Sequence, residues 1–236
     1  MKSTLTIMDN TEIIKKYKYA VIASDIAIFT LQAGRLKVLL IKMKKDPYKS
    51  FWACPGGLVK AEEDIEKGAE RILTEKTGLK NVYLDQFYTF GKVGRDPFGR
   101  VVSVAYLALI PSDNLSLKTS SDYEDVKWFE VKDLPDLAYD HKEIVKVALE
   151  TLKHKLENTN IVYSLLNEDF AFSDLQKVYE IILDKKCKDM SYGVSLSSNQ
   201  KSLAEESGEL PKVIKEKTIA NYLYFGIPAL MILLTF

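Results

Sequence analysis

An α/β sandwich, with a sheet packed between helices and a small second module behind it, is the fold class predicted for this chain. Two observations predict it. Within the first 157 residues, apolar strand-type runs are interleaved with helix patterns. After Asn158 the long strand-type runs stop, and helical segments closed by one strand pair take over. A chain of 236 residues with 47% hydrophobic content is long enough for one medium domain and one small one.

The elements follow in order. Residues 19–31 hold the run AVIASDIAIFTL, and residues 36–43 (LKVLLIKM) repeat the theme after the turn residues Gly34 and Arg35, so the two read as a hairpin. A helix is expected over about 62–77. Further strands are expected at 82–90, 101–110 (VVSVAYLALI) and 125–130 (DVKWFE). The segment GKVGRDPFGR between two of them is a loop, because it joins three glycines to a proline. Asp140 and Glu143 fit the N-cap and N3 positions of a capping box, with Ile144, Val147, Ala148, Thr151 and Leu152 giving helical periodicity beyond. His141 then sits in the first turn, where a local structural role outweighs a role as a base.

The region IVYSLLNEDFAFSDLQKVYEIIL reads as two helices. In the second, about 173–183, Leu175, Val178, Tyr179 and Ile182 share a face and Ser173 or Asp174 caps the start. A basic turn, DKKCKDM, precedes a third helical stretch at about 189–206, and SGELPKVIKEKTIANYLYF suggests a turn and a strand pair. Helix, turn, helix and hairpin is the outline of a winged helix-turn-helix. The expected division is an α/β domain at 1–157, a winged helix module at 158–225 and an apolar tail at 226–236.

Composition narrows the function. The net charge is zero, so the molecule as a whole is no polyanion binder, and any nucleic-acid contact must come from local patches. Residues 185–217 carry seven lysines against five acids, a net of +2. Lys186, Lys188, Tyr192, Lys201, Lys212 and Lys215 are the DNA-contact candidates there, and a solvated surface is the competing reading for each. Two cysteines, Cys54 and Cys187, show no CxxC spacing and only two histidines are present, which argues against zinc and for a reducing, cytoplasmic compartment. The N-terminus lacks the apolar core of a signal peptide. Residues 219–236 are uncharged for eighteen positions, the lower limit for a membrane span, but Asn221, Gly226 and Pro228 interrupt them. That segment is read as the last strand of the wing plus an apolar tail.

The chemistry is concentrated in GGLVKAEEDIEKGAERILTEKTGL, residues 56–79. Gly57, Glu63, Arg71, Glu75, Gly78 and Leu79 fall where the Nudix box places its glycine, first glutamate, arginine, one of its paired glutamates, closing glycine and terminal aliphatic, with Pro55 and Gly56 as lead-in. Residues 17–155 thus resemble the Nudix superfamily. In that box the arginine is followed directly by a glutamate, and a glutamate pair sits four and five residues beyond the arginine. Here those positions hold Ile72, Glu75 and Lys76. Spaced i, i+3 and i+4, they lie on one helix face and can converge on one ion. A hard dication such as Mg2+ needs oxygen ligands. One carboxylate between an isoleucine and an ammonium is a poor set, and Lys76 adds repulsion. Metal-assisted attack of water on a diphosphate then loses its nucleophile generator. Two readings stay open: a pocket that binds without cutting and needs no cofactor, or a Mg2+-dependent hydrolase that recruits ligands from a later loop, with Glu63, Arg71 and Glu75 as its residual box.

Other ligand-binding candidates are Arg95, Arg100, Lys76 and Trp52. The two arginines of the loop offer planar forks to a phosphate or ribose, or else tie the loop down through Asp96 or a neighbouring carboxylate. Trp52 stacks on a ligand ring or belongs to the core.

An acid-depleted box, an Asp-His helix start, the string RDPFGRVVSVAYLALI and the later pattern FSDLQKVYEIIL together resemble the Nudix-related transcriptional regulators, over residues 17–225. That resemblance implies a former catalytic pocket kept as a sensor of a small-molecule effector, ADP-ribose or a sugar, and a winged helix that binds operator DNA as a homodimer. The family usually opens its recognition helix with several arginines and an Asn-Phe-Arg string, where this chain has DMSYGVS (189–195). Losing those donors should weaken operator affinity.

Overall fold

The computed structural model describes residues 19–111, 123–167 and 170–186. Among them, seven strands form one sheet. β1 (Val21–Gln32) and β2 (Arg35–Met43) are a hairpin joined by Ala33 and Gly34. Both turn residues have positive φ, 51° and 71°, the two-residue geometry that matches the twist of paired strands. The turn lies one residue earlier than expected, and Arg35 instead pairs in β2 and forms an ion pair with Glu130.

β1 and β2 pair only near the hairpin. Further along, β4 (Gly56–Leu58) takes the edge of β1 and β3 (Trp52–Ala53) takes that of β2. At two and three residues these strands are too short to leave a periodic signal. On the outer sides, β6 (Val101–Ile110) runs parallel to β1 and carries β5 (Tyr83–Phe90), while β7 (Tyr123–Glu130) borders β2.

Alternation along the strands separates two cores. Ile26, Ile28, Leu39, Tyr106, Ala108 and Ile110 meet Ala69, Ile72 and Leu73 of α1 (Ile65–Thr77). Ala27, Phe29, Val38, Leu40, Leu107 and Leu109 meet Ile144, Val145, Ala148 and Leu152 of α2 (His141–Asn158). α1 starts three residues later than expected, at the N-cap Asp64. It ends at Gly78, whose left-handed φ of 78° lets its N–H reach the Thr74 carbonyl.

Beyond α2, residues Ile161–Leu165 form a 3-10 turn where an α-helix was expected, followed by α3 (Phe172–Leu183). Neither Ser173 nor Asp174 occupies the N-cap position of α3, and Asp174 takes part in the capping from N3. The N-cap is Ala171, whose N–H donates to the Asp174 carboxylate at 3.1 Å. Leu165, Phe170, Leu175, Val178 and Ile182 are buried in the same cluster as α2, each contributing about 2 kcal/mol of burial. The apolar cluster on the α2 side of the sheet thus continues past residue 157. The expected third helix, wing and apolar tail lie outside the described residues. No described helix is long and apolar enough to cross a membrane.

Candidate functional site

The Nudix box is organised by Arg71. From α1 its Nε and Nη2 donate to the two Glu63 oxygens at 2.9 and 2.5 Å, Nη2 reaches the Leu58 carbonyl at 3.0 Å, and Nη1 donates to Glu75 at 3.0 Å. Glu63 also accepts the Lys60 N–H at 2.8 Å. Those bonds, chiefly the guanidinium, hold the Glu63 carboxyl down to about 2, and the same carboxylate raises Arg71. One guanidinium thereby joins the glycine turn to the helix.

The three positions that would face a metal go separate ways. Ile72 is buried, and its side chain lies where a Cβ on Gly57 would meet it at 3.4 Å. Glu75 is half exposed and turned one helical turn back to Arg71. Lys76 is half-buried, with its ammonium 4.7 Å from the centre of the Tyr123 ring. A hydrocarbon, a carboxylate already paired with Arg71 and a cation do not fit a hard dication. Among the described residues, no group of three or more His, Cys, Asp or Glu side chains is placed to hold a metal ion.

Next to the glycine turn, on the α2 side of the sheet, lies a buried polar cluster. Asp25 of β1 accepts the Ser103 hydroxyl at 2.7 Å and Arg95 Nη2 at 3.1 Å, and His141 Nε2 stands 3.6 Å away. Arg95 continues to Asp140 through bonds of 2.8 and 2.6 Å. The Cys54 N–H donates to His141 Nδ1 at 2.9 Å, so that nitrogen is unprotonated, and burial lowers the imidazole pKa. Burial, with Asp25 and Asp140 adding to it, pushes the Cys54 thiol well up, leaving an inert thiol. A Cβ on Gly56 would sit 2.1 Å from Asp25 Oδ1. Glycine at that position makes room for the carboxylate.

Beside this cluster stand three half-buried tyrosines, Tyr48, Tyr123 and Tyr139, packed on Ile41, Ala53 and Ala138. Tyr139 has φ of 54°, a conformation that costs a bulky residue about 1–3 kcal/mol and persists only where its surroundings impose it.

The residues expected to bind ligand separate accordingly. Lys76 lies at the box. Arg95 pairs with Asp25 and Asp140 and not with Asp96, and its side chain is 3% exposed. Its donors are taken up by protein carboxylates. Arg100 is exposed and closes the neck of its loop on the Gly91 carbonyl at 2.8 Å. Trp52 packs edge-on against Phe129 at 4.6 Å, at the margin of the α2-side core.

The capping box expected at Asp140 is absent. Asp140 occupies the N-cap position, but its side chain makes no cap bond, because Arg95 holds it. His141 accordingly serves long-range contacts to Cys54 and Asp25. Lys186 pairs with Glu180 at 3.3 Å. Lys188, Tyr192, Lys201, Lys212 and Lys215 lie outside the described residues. Asp25, Ser103 and Tyr139 were missed. For Asp25 the available signal was a carboxylate inside an otherwise apolar strand.

Two grooves, of about 300 and 390 Å³, flank α3 near the β1–β2 hairpin, and no residue of the box lines either.

An α/β/α sandwich carrying this glycine turn, arginine hub and helix is the architecture of a Nudix fold. The chain belongs to the NUDIX domain family, which matches residues 22–148. It is 38% identical over 171 residues to the ADPR responsive transcriptional repressor NtrR of Acinetobacter baylyi, spanning 71% of this chain and 68% of that protein. It is 34% identical over 110 residues to an ADP-ribose pyrophosphatase of Methanocaldococcus jannaschii, across 47% of this chain and 64% of the relative. Among solved structures it is similar to Shewanella oneidensis NrtR complexed with a 27mer DNA, at TM-score 0.64 and 30% identity, covering 79% and 83% of the two chains. The NUDIX domain of the same NrtR complexed with ADP ribose matches at TM-score 0.53 and 31% identity, across 61% of this chain and 99% of that one.

Proposed function

We propose that this chain is an ADP-ribose-responsive transcriptional regulator whose Nudix domain binds its effector without cutting it. Operator DNA is bound by the C-terminal module, residues 158–225, as a homodimer in the cytoplasm. The observation that carries this reading is the rearranged box. Glu63 and Glu75 are drawn to Arg71, Ile72 is packed into the core, and Lys76 brings positive charge where a metal ligand would stand. Similarity to a repressor described as ADPR responsive, and to a regulator solved with DNA and with ADP ribose, supports the same reading.

In the sensor, no metal cofactor is needed. Lys76 offers a fixed cation to the diphosphate, and Lys76→Glu then lowers ADP-ribose affinity; unaltered affinity contradicts that role. The effector shifts the dimer between DNA-competent and incompetent forms by its difference in affinity for the two. The test is a gel shift on the DNA upstream of the chain's own gene, with and without ADP-ribose. A shift at low salt that ADP-ribose alters supports the reading, and no shift at low salt contradicts it.

A second reading is an active Mg2+-dependent ADP-ribose diphosphatase. It is favoured by the similarity to an ADP-ribose pyrophosphatase and by the retained Gly57, Glu63, Arg71 and Glu75. Release of AMP and ribose phosphate in the presence of Mg2+ or Mn2+ selects it.

A further inference from the structure

We propose that the two grooves beside α3 are the seat of residues 226–236 of this same chain, which read GIPALMILLTF and carry no charge. The contact is one of the chain with itself, independent of what the Nudix box binds.

Both grooves lie on the α2 side of the sheet, one along α3 and the other at its end. Leu31, Leu165 and Phe170 line the first, of about 300 Å³, and Leu36, Val131 and Leu149 line the second, of about 390 Å³. Gly34 and Ile181 line both, so the two are neighbouring halves of one apolar track across the hairpin turn. Nothing stands within 4 Å of where a Cβ on Gly34 would lie, which leaves the middle of the track open. Leu31, Leu36, Val131 and Leu149 belong to the margin of the α2-side core and are only half-buried. Ile181 is unlike its neighbours in α3. Leu175, Val178 and Ile182 are buried, whereas Ile181 is half-buried on the ridge between the grooves.

Charge selects the occupant. Around the track Arg35 pairs with Glu130, Lys132 with Asp184 at 2.7 Å and Lys177 with Asp174 at 3.0 Å, and Lys153 adds its field to Asp184. An ionic ligand would have to exchange these pairs for its own, at little gain on an exposed rim. An uncharged apolar segment leaves them intact and covers the half-buried side chains between them. Residues 219–236 are uncharged throughout, and 226–236 extend past the strand expected for the wing.

Length and tether agree. The twelve residues of α3 are about 18 Å long, and residues 226–236 cover about 16 Å as a helix or about 36 Å extended, so either form can follow the track. Lys186, the last described residue, stands three positions beyond the end of α3, beside the second groove, whose lining includes Asp184. Residues 187–225 are enough chain to return from there. A tether of this kind gives the segment an effective concentration on the order of millimolar, an advantage that a separate partner lacks.

The test places a benzophenone photo-crosslinking side chain at Lys177 or at Lys153 of the full chain, one position per groove, with the exposed Lys67 of α1, on the other side of the sheet, as control. Light and heavy-nitrogen-labelled copies are mixed before illumination, so mass spectrometry separates links within a chain from links between chains. Expected are links from both groove positions to residues 226–236 of the same chain and none from Lys67. Leu230→Asp and Leu233→Asp together should lower their yield about tenfold or more. Links to 226–236 of the other copy overturn the proposal in favour of an exchange between chains, and no link to 226–236 overturns it outright. Flotation of the wild-type chain with phosphatidylcholine vesicles, abolished by the same two substitutions, assigns the segment to a lipid surface and overturns it as well.

Discussion

Arg71 and Arg95 each hold two carboxylates, but they do so in different solvents. Arg71, with a side chain 23% exposed, ties Glu63 and Glu75 together at the rim of the box, where water already screens the charges. Arg95, 3% exposed, joins Asp25 and Asp140 beneath the β5–β6 loop, where Asp25 is 5% exposed. The same chemistry therefore has two uses. At the rim it sets the geometry of the box at small energetic stake. Beneath the loop it neutralises a charge that the core cannot tolerate alone, and it anchors the start of α2.

Removing each guanidinium in turn separates the two uses. Arg95→Ala leaves a buried carboxylate uncompensated and should cost about 3–5 kcal/mol in urea unfolding. A loss below that of Arg71→Ala would end the comparison. Next in size is Gly56→Ala, whose Cβ would meet Asp25 Oδ1 at 2.1 Å and displace the carboxylate from Arg95 and Ser103. Overpacking of this kind costs about 1–3 kcal/mol. Arg71→Ala should cost about 1 kcal/mol in the same assay, since its partners stay hydrated.

The smallest effect is a pH dependence. Glu63 has its pKa lowered from 4.5 to about 2 in the folded chain, so its contribution is complete above 4.5 and lost as pH falls toward 2. His141 has a folded pKa below 6.5, so the unfolded chain takes up its proton first and stability declines as pH drops below 6.5. Melting temperatures measured from pH 8 to pH 2 should show both limbs. Glu63→Gln should flatten the lower one and leave the upper unchanged.

The five longer strands were legible because apolar runs mark them, and the altered box because its spacing is rigid enough for Ile72 and Lys76 to stand out; β3 and β4 were not, being two and three residues long. What stayed hidden was tertiary. Asp140 and Glu143 satisfy a local capping pattern, yet Arg95, distant in the chain, holds the Asp140 side chain in an ion pair that the cap cannot match. Arg95 itself sits in a loop of glycines and exposed side chains, and nothing local marks it as buried. Asp25 was visible as a carboxylate among apolar neighbours, but its partners Ser103 and His141 are brought to it only by parallel pairing with β6 and by the packing of α2. Ala33 accepted a positive φ normally given to glycine or asparagine, and so the turn moved by one residue.

The proposed sensor recognises a diphosphate at the rim without cutting it. It is tested most directly by incubating the full chain with ADP-ribose and Mg2+ or Mn2+, following AMP by chromatography, alongside a binding titration in excess chelator. Saturable binding of ADP-ribose without metal is expected, with no AMP above the enzyme-free control. Metal-dependent release of AMP and ribose phosphate, with no binding in chelator, would contradict it.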